Sequence, residues 1–258
     1  MKDAHGSPLL TANDVPPVRI TNRLGTSSFL LIGDHAGNLV PECLDNLGLG
    51  PDEMNRHIAL DLGISEAGRR LAATLDAPFV EQRYSRLVID CNRRLGDPDS
   101  ILVESDGTIV PGNQNLAVSS IESRIDEVYR PYHDTIHDLL SKRDEVGLQT
   151  VLVSLHSFTP KLSGRDRSWQ IGVLYDGGDN RFARLAYEEL RKTFGAAVGD
   201  NEPYRMDGTD FTVPWHAYSR SRPYVELELR QDWLATPDGE AIAADLIADC
   251  LLGALSRL

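Results

Sequence analysis

Four apolar runs in this chain each end in, or carry, polar residues capable of chemistry, and that pattern restricts the fold more than any other feature. FLLIGDH ends at His35, SRLVIDCNR ends at Asn92-Arg93, TVLVSLH ends at His156, and YVELELRQD carries Glu226 and Glu228. Apolar runs of four to eight residues read as buried strands. Open α/β sheets gather their sites at the carboxyl ends of such strands. The pattern therefore predicts a buried sheet with two imidazoles, carboxylates and an Asn-Arg pair delivered to one edge, as in a metallohydrolase site for a small anion.

The rest of the chain supports that architecture. Strands are predicted at Ser28–His35, Pro78–Tyr84, Arg86–Cys91, Thr150–His156, Gln170–Tyr175, Ala196–Val198 and Tyr224–Arg230. Helices are predicted at Asp52–Leu75, at Ser120–Lys142 interrupted or kinked near Pro131, at Asn180–Phe194 and at Asp238–Leu255. Strands alternating with helices imply a three-layer α/β/α arrangement around a mostly parallel mixed sheet. Residues 95–114 and 201–222 read as long polar loops beside the site. Residues 1–18 are polar, carry prolines and show no period, so a flexible N-terminal segment is expected there, followed by a single domain over residues 19–258.

Composition narrows the partners. Charged residues make up 25% of the 258 residues and the net charge is −13, so nucleic acid and anionic membrane surfaces are excluded as partners. No apolar run is long enough to span a bilayer, and the N-terminus lacks a signal peptide's apolar core. Three scattered cysteines form no CxxC pair and no disulfide framework, which fits a reducing, cytoplasmic setting. On so acidic a protein, an anionic substrate needs a local basic pocket. Arg86, Asn92, Arg93 and, in the loop after His156, Arg167 are the candidates, because guanidinium grips carboxylates with two parallel hydrogen bonds.

His35 and His156 are the expected metal ligands. A catalytic zinc takes three protein ligands and keeps one open position. For the third, Asp61 supplies a carboxylate, four residues after His57 on the same predicted helix face. His57 is the alternate. Asn38 stands where a ligand carboxylate would suit, but an amide is a poor zinc ligand. His133 and His137 in HDTIH mimic a zinc motif with Asp in place of the general base, and are read as structural. Glu226 and Glu228 share one side of their strand. Glu228 lies nearer its end and is the expected general base, with Glu226 as alternate. No nucleophile elbow or phosphate-binding glycine loop is present.

The ordered segments GDHAGNLVPE, NRHIALDLG, YSRLVIDCNR, YRPYHDTIH, SLHSFTP, GDNEPY and VELELRQD resemble the N-formylglutamate amidohydrolase family over nearly the whole chain. The resemblance implies a zinc-carboxypeptidase-like fold. It implies zinc or another divalent transition metal on His35 and His156, with Asp61 at the family's acidic position. It further implies Glu228 as the catalytic carboxylate, Asn92-Arg93 gripping a substrate carboxylate, and hydrolysis of an N-formyl or N-acyl amino acid. One departure stands out: Asn55-Arg56-His57 occupies a stretch where members acting on formylglutamate resemble one another in an Asp-Thr-Asp. Reaction class is thus better fixed than substrate. Two other readings remain, a non-catalytic binder of small anions or amino acids on the same fold, and a peptidase or cell-wall amidase.

Overall fold

The run predicted at Thr150–His156 forms the longest strand, Val151–Phe158, and it lies at the middle of a seven-stranded sheet. The computed structural model describes residues 8–258. In chain order the elements are β1 (Val18–Thr21), β2 (Phe29–Gly33), α1 (Pro51–Met54), α2 (Ile64–Thr74) and β3 (Phe79–Gln82). A small hairpin follows, β4 (Glu104–Ser105) and β5 (Thr108–Ile109), then α3 (Val118–Arg124), α4 (Arg130–Glu145) and β6 (Val151–Phe158). A second hairpin, β7 (Lys161–Leu162) and β8 (Arg165–Asp166), precedes β9 (Ile171–Leu174) and α5 (Arg181–Phe194). Last come β10 (Val198–Asp200), α6 (Thr212–Ala217), β11 (Tyr224–Arg230) and α7 (Pro237–Leu255).

The sheet order is β1-β3-β2-β6-β11-β9-β10. Pairs β1/β3 and β11/β9 are antiparallel and the others parallel. Helices cover both faces, as expected. On one face Leu71 of α2, Phe182 and Leu190 of α5, and Ile247 and Leu251 of α7 pack on Val151, Val153, Leu155, Val225 and Leu227. On the other, Tyr132 and Ile136 of α4 and Val213 of α6 meet Leu30, Ile32, Leu152 and Tyr224. Successive strand residues face opposite sides. This parity sends Ser154, His156, Glu226 and Glu228 toward the second face, so four polar side chains share a wall with α4 and α6. Among the described residues, no helix is long and apolar enough to cross a membrane.

Two local expectations differ from the structure, and a third takes a specific form. The helix expected over Asp52–Leu75 is two helices, with residues 55–63 as turns between them. Gly63 takes φ +82°, and a Cβ there would lie 2.4 Å from Leu234 Cβ, so the chain reverses tightly before α2. His57 and Asp61 therefore do not share a helix face. The run Arg86–Cys91 is not a strand. Its backbone is held by side chains instead: Asn113 Nδ2 donates to the Leu87 carbonyl and Arg124 Nη1 to the Val88 carbonyl. The long helix is interrupted just before Pro131, as the sequence suggests. A wider π-helical turn, Ile125–Tyr129, joins α3 to α4 just before the proline, which has no N–H to donate.

At the N-terminus, residues 1–7 of the segment expected to be flexible lie outside the described residues. Leu9 is buried, and the Leu9 and Leu10 amides both donate to the Glu127 carboxylate at 2.8 Å. Residues 95–114 hold a short hairpin, and residues 201–222 hold α6.

Candidate active site

His35 follows β2, His156 lies in β6, and Asp61 sits in the turn before α2. Strands β2 and β6 are hydrogen-bonded neighbours, which brings the two histidines together. Asp61 is tied in by its own backbone, because its amide donates to the His35 carbonyl at 2.8 Å. One donor atom from each of His35, Asp61 and His156 lies within 4.8 Å of the others, and all three residues are buried. His156 Nδ1 is 2.9 Å from Asp61 Oδ2, and His35 Nδ1 is 3.5 Å from the same oxygen. His35 Nδ1 has no hydrogen-bond partner although it is buried. An orphaned ring nitrogen is costly in a folded interior. Here it points, with a second imidazole and a carboxylate, at one small volume. Two imidazoles and one carboxylate are also the donor set of a catalytic zinc with an open position, so the residues present fit such an ion.

The far nitrogens of both rings meet buried acids. His35 Nε2 donates to Asp90 Oδ1 at 2.7 Å. His156 Nε2 lies 3.1 Å from Ser154 Oγ and 3.3 Å from Asp34 Oδ2, the latter at ion-pair distance without hydrogen-bond alignment. Carboxylates in this position fix ring orientation and raise the basicity of a ligand nitrogen. Asp90 is itself held by Arg86 Nη2 at 2.6 Å and by the Asn92 amide at 2.8 Å. Thr212 Oγ1 donates to Asp34 Oδ1 at 2.9 Å.

The electrostatics follow from this crowding. Burial pulls the His35 pKa down and Arg86 adds to that, but Asp90 and Asp61 outweigh both and hold it above its ordinary value. His156 is raised further, as Asp34 and Asp61 overcome its burial. Burial would raise Asp61, yet the two imidazoles keep it well below the usual carboxylate range. The cluster is a strong sink for positive charge.

Glu228 is the register partner of His156 on the neighbouring parallel strand. Burial pushes its carboxyl up to about 7 against the pull of His156, with Asp61 adding to the rise. A carboxyl poised there can both take and give a proton near neutral pH. Gly172 lies opposite on β9, where a Cβ would approach Glu228 Cβ to 3.2 Å and the Glu202 carbonyl oxygen to 2.3 Å, so only glycine leaves that wall room.

These groups open on a pocket of about 520 Å³ whose walls include Arg86, Asn92, Arg93, Glu226 and Glu228. Arg93 Nη1 donates to its neighbour's carbonyl at Asn92 and lies 3.8 Å from Asp210 Oδ1. The Asn92 carboxamide oxygen accepts from the Phe211 and Thr212 amides at 2.9 Å, fixing the start of α6, while Nδ2 faces Asp210 at 3.3 Å. Arg86 Nη1 is 3.9 Å from Asp61 Oδ1, beside the three ligand candidates. Arg167 is not a wall residue. It stacks 4.6 Å from the Tyr204 ring centre and donates to the Tyr204 hydroxyl, which places it behind the pocket rim.

The remaining candidates fall elsewhere. Asn38 Nδ2 donates to the Met54 carbonyl at 3.0 Å and closes the turn after α1, so it is no ligand. His57 reaches the pocket wall but faces Asp106, 3.6 Å away. His133 lies behind the site. Its Nε2 donates to the Cys91 carbonyl at 3.0 Å and its Nδ1 meets His216 Nε2 at 3.1 Å. Sequence reasoning missed Asp34 and Asp90 as partners of the histidines. The available signal was a carboxylate closing an apolar run, in FLLIGD and in LVID.

The model of the N-formylglutamate amidohydrolase family matches residues 27–235. No curated protein matches the chain. Among solved structures, a gene product of Agrobacterium tumefaciens is 32% identical with a TM-score of 0.92, the match covering 96% of this chain and 98% of that one. An N-formylglutamate amidohydrolase from Ralstonia eutropha JMP134 is 18% identical with a TM-score of 0.68 over 92% and 96%, a likeness of fold. That shared fold is an α/β architecture, a mixed and mostly parallel sheet between layers of helices. With four fifths of its length matched in order, the chain belongs to the N-formylglutamate amidohydrolase family.

Proposed function

We propose that this amidohydrolase is zinc-dependent and cleaves the amide of a small N-formyl or N-acyl amino acid, formylglutamate-like in its α-carboxylate and acyl group, releasing the acid and the free amino acid. His35, Asp61 and His156 would hold zinc or another divalent transition metal. Such an ion supplies Lewis acidity, lowering the pKa of its water toward ~7 and polarising the scissile carbonyl. The observation that carries the reading is the meeting of His35 Nδ1, His156 Nδ1 and Asp61 beside a carboxyl, Glu228, poised near neutrality.

The chain's own groups then have separate tasks. Glu228 accepts a proton from the attacking water and returns it to the leaving nitrogen, which avoids expulsion of an amide anion. Arg86, anchored on Asp90, points a cationic donor toward the developing oxyanion. Arg93 and Asn92 Nδ2 receive the substrate's α-carboxylate, and Arg167 acts on the rim through Tyr204. Asp90 and Asp34 orient the two imidazoles. Tyr204, Asp207, Thr209 and Asp210 wall the pocket, a shape suited to a small molecule.

Metal analysis and kinetics test this together. The purified protein should carry one equivalent of metal, lose turnover of N-acyl amino acids on chelation and recover it with zinc. Glu228→Gln should keep the metal and lose roughly 10²- to 10⁴-fold in kcat. Full activity in demonstrably metal-free protein overturns the mechanism. Metal and ligand binding without any turnover would favour the non-catalytic alternative.

A further inference from the structure

The charges in the pocket are sorted by depth. The cations stand at its side and mouth: Arg86 is held by Asp90, Arg93 lies by Asp210, and Arg205 is exposed. The floor is acidic. Glu226 is two residues before Glu228 on the same face of β11, about two strand rises (~6.6 Å) deeper. Its register partner on β9 is Leu174, which also lines the pocket. Glu226 is only 2% exposed and its Oε2 has no hydrogen-bond partner; among the described residues no arginine or lysine forms an ion pair with it, and the opposing charge that acts on it is the His156 imidazole. Asp210 also lines the pocket, but it is engaged by Arg93 and Asn92 nearer the mouth.

A buried carboxyl without a partner is costly, and folded proteins keep such groups paired or use them. Glu226 is not needed to pair the strand, whose register with β6 and β9 is set by backbone hydrogen bonds. Nor does it orient a ligand histidine, as Asp34 and Asp90 already hold those rings. What remains is a carboxyl open to the pocket and lying beyond the reacting centre.

Resting on the proposed amide hydrolysis, we infer that Glu226 selects the substrate's side chain, and that this side chain is cationic. The substrate class is an Nα-acyl derivative of a lysine-, ornithine- or arginine-like amino acid rather than of glutamate. With the α-carboxylate on Arg93 and the scissile amide beside Glu228, an extended side chain of three or four methylenes runs along Leu174 to the floor. Its ammonium or guanidinium there donates to Glu226. A glutamate side chain in the same pose would bring a carboxylate against Glu226 and pay for desolvating both.

The test separates selection from chemistry. Binding of Nα-acetyl-lysine and Nα-acetyl-glutamate is measured by calorimetry on the zinc-loaded Glu228→Gln protein, and turnover of both on the unmodified enzyme. Nα-acetyl-lysine should bind tighter by about tenfold or more, the worth of one charge-assisted hydrogen bond. Glu226→Gln, nearly isosteric, should erase most of that preference while zinc content stays unchanged. Equal or tighter binding of the glutamate derivative, or a preference that survives Glu226→Gln, overturns the inference. Selective binding without turnover would leave it standing and sink the proposed reaction. Turnover favouring the glutamate derivative would do the reverse.

Discussion

The protein buries two pairs of histidines close to one another, and they differ in what surrounds them. The His35 and His156 rings lie 5.0 Å apart, edge to face, and each meets a buried carboxylate at its far nitrogen. The His133 and His216 rings lie 5.4 Å apart, stacked, and they bond to each other and to a backbone carbonyl. The first pair is held above the ordinary imidazole pKa because acids outweigh burial. The second is held below it, at about 4 and about 3, because burial meets no comparable acid. Residue type alone would not separate the pairs. The separating fact is that the first pair leaves His35 Nδ1 unpartnered beside Asp61, whereas in the second both nitrogens of His133 are bonded.

The largest effect should come from breaking the first pair. Sharing the ~10–16 kcal/mol of a four-ligand zinc site among its ligands gives roughly 3 kcal/mol each, about 10²-fold or more in affinity. His156→Ala should therefore weaken zinc binding at least that much in a chelator competition, and His35→Ala likewise. His133→Ala should leave zinc affinity within a few-fold while lowering the melting temperature. Equal losses of zinc from both pairs would dissolve the distinction.

Next in size are the acids behind the ligands. Asp90→Asn and Asp34→Asn keep shape and remove charge, and each should cost about 10- to 100-fold in zinc affinity. Asp90→Asn should be the larger, because Asp90 makes a direct 2.7 Å hydrogen bond to His35 and also anchors Arg86. Asp34 meets His156 at 3.3 Å and is steadied by Thr212. The reverse order would mean that orientation of His156 governs the site.

The second pair should show itself in acid. Its folded pKa values lie below the unfolded value near 6.5, so the unfolded chain takes up protons first as pH falls. The stability these rings contribute is complete above pH 6.5 and drains away between about 6.5 and their folded values. Each ring steepens the loss by up to ~1.4 kcal/mol per pH unit. Urea unfolding of the wild type and of His216→Gln at pH 7.5 and pH 5 measures this, and the variant should lose less stability between the two. A variant with an unchanged acid slope would mean that His216 is already protonated in the folded state.

How much of this could be read from residue order depends on how local the cause is. Strand parity is local, so the shared face of Glu226 and Glu228 and the strand-end histidines were legible. The buried run Leu87, Val88 and Ile89 was not, because its backbone is satisfied by Arg124 and Asn113, more than 20 residues away. A buried coil and a buried strand then look alike in apolar pattern. The break between α1 and α2 was hidden for a similar reason. The apolar spacing of Ile58 and Leu62 continues through it, while Gly63 and Leu234 decide the turn. Asp61 is expected as a helix partner of His57 but reaches the ligand cluster by another route, the backbone bond to His35.

That route sets up the smallest expected effect. If His57 belonged with Asp61 on one helix face, it would compete for the ion. The turns at residues 55–63 instead point it at Asp106, on a wall that is partly solvated and 3.6 Å from its partner. Such exposed pairs are worth ~0–1 kcal/mol. His57→Gln should leave zinc affinity within about twofold and change KM more than kcat, because the ring touches the pocket and not the ligand cluster. A loss of zinc as large as that of His156→Ala would make His57 the third ligand. Asp61 would then be left as a hydrogen-bond acceptor for His156, and the boundary between the two histidine pairs would have to be redrawn around three imidazoles.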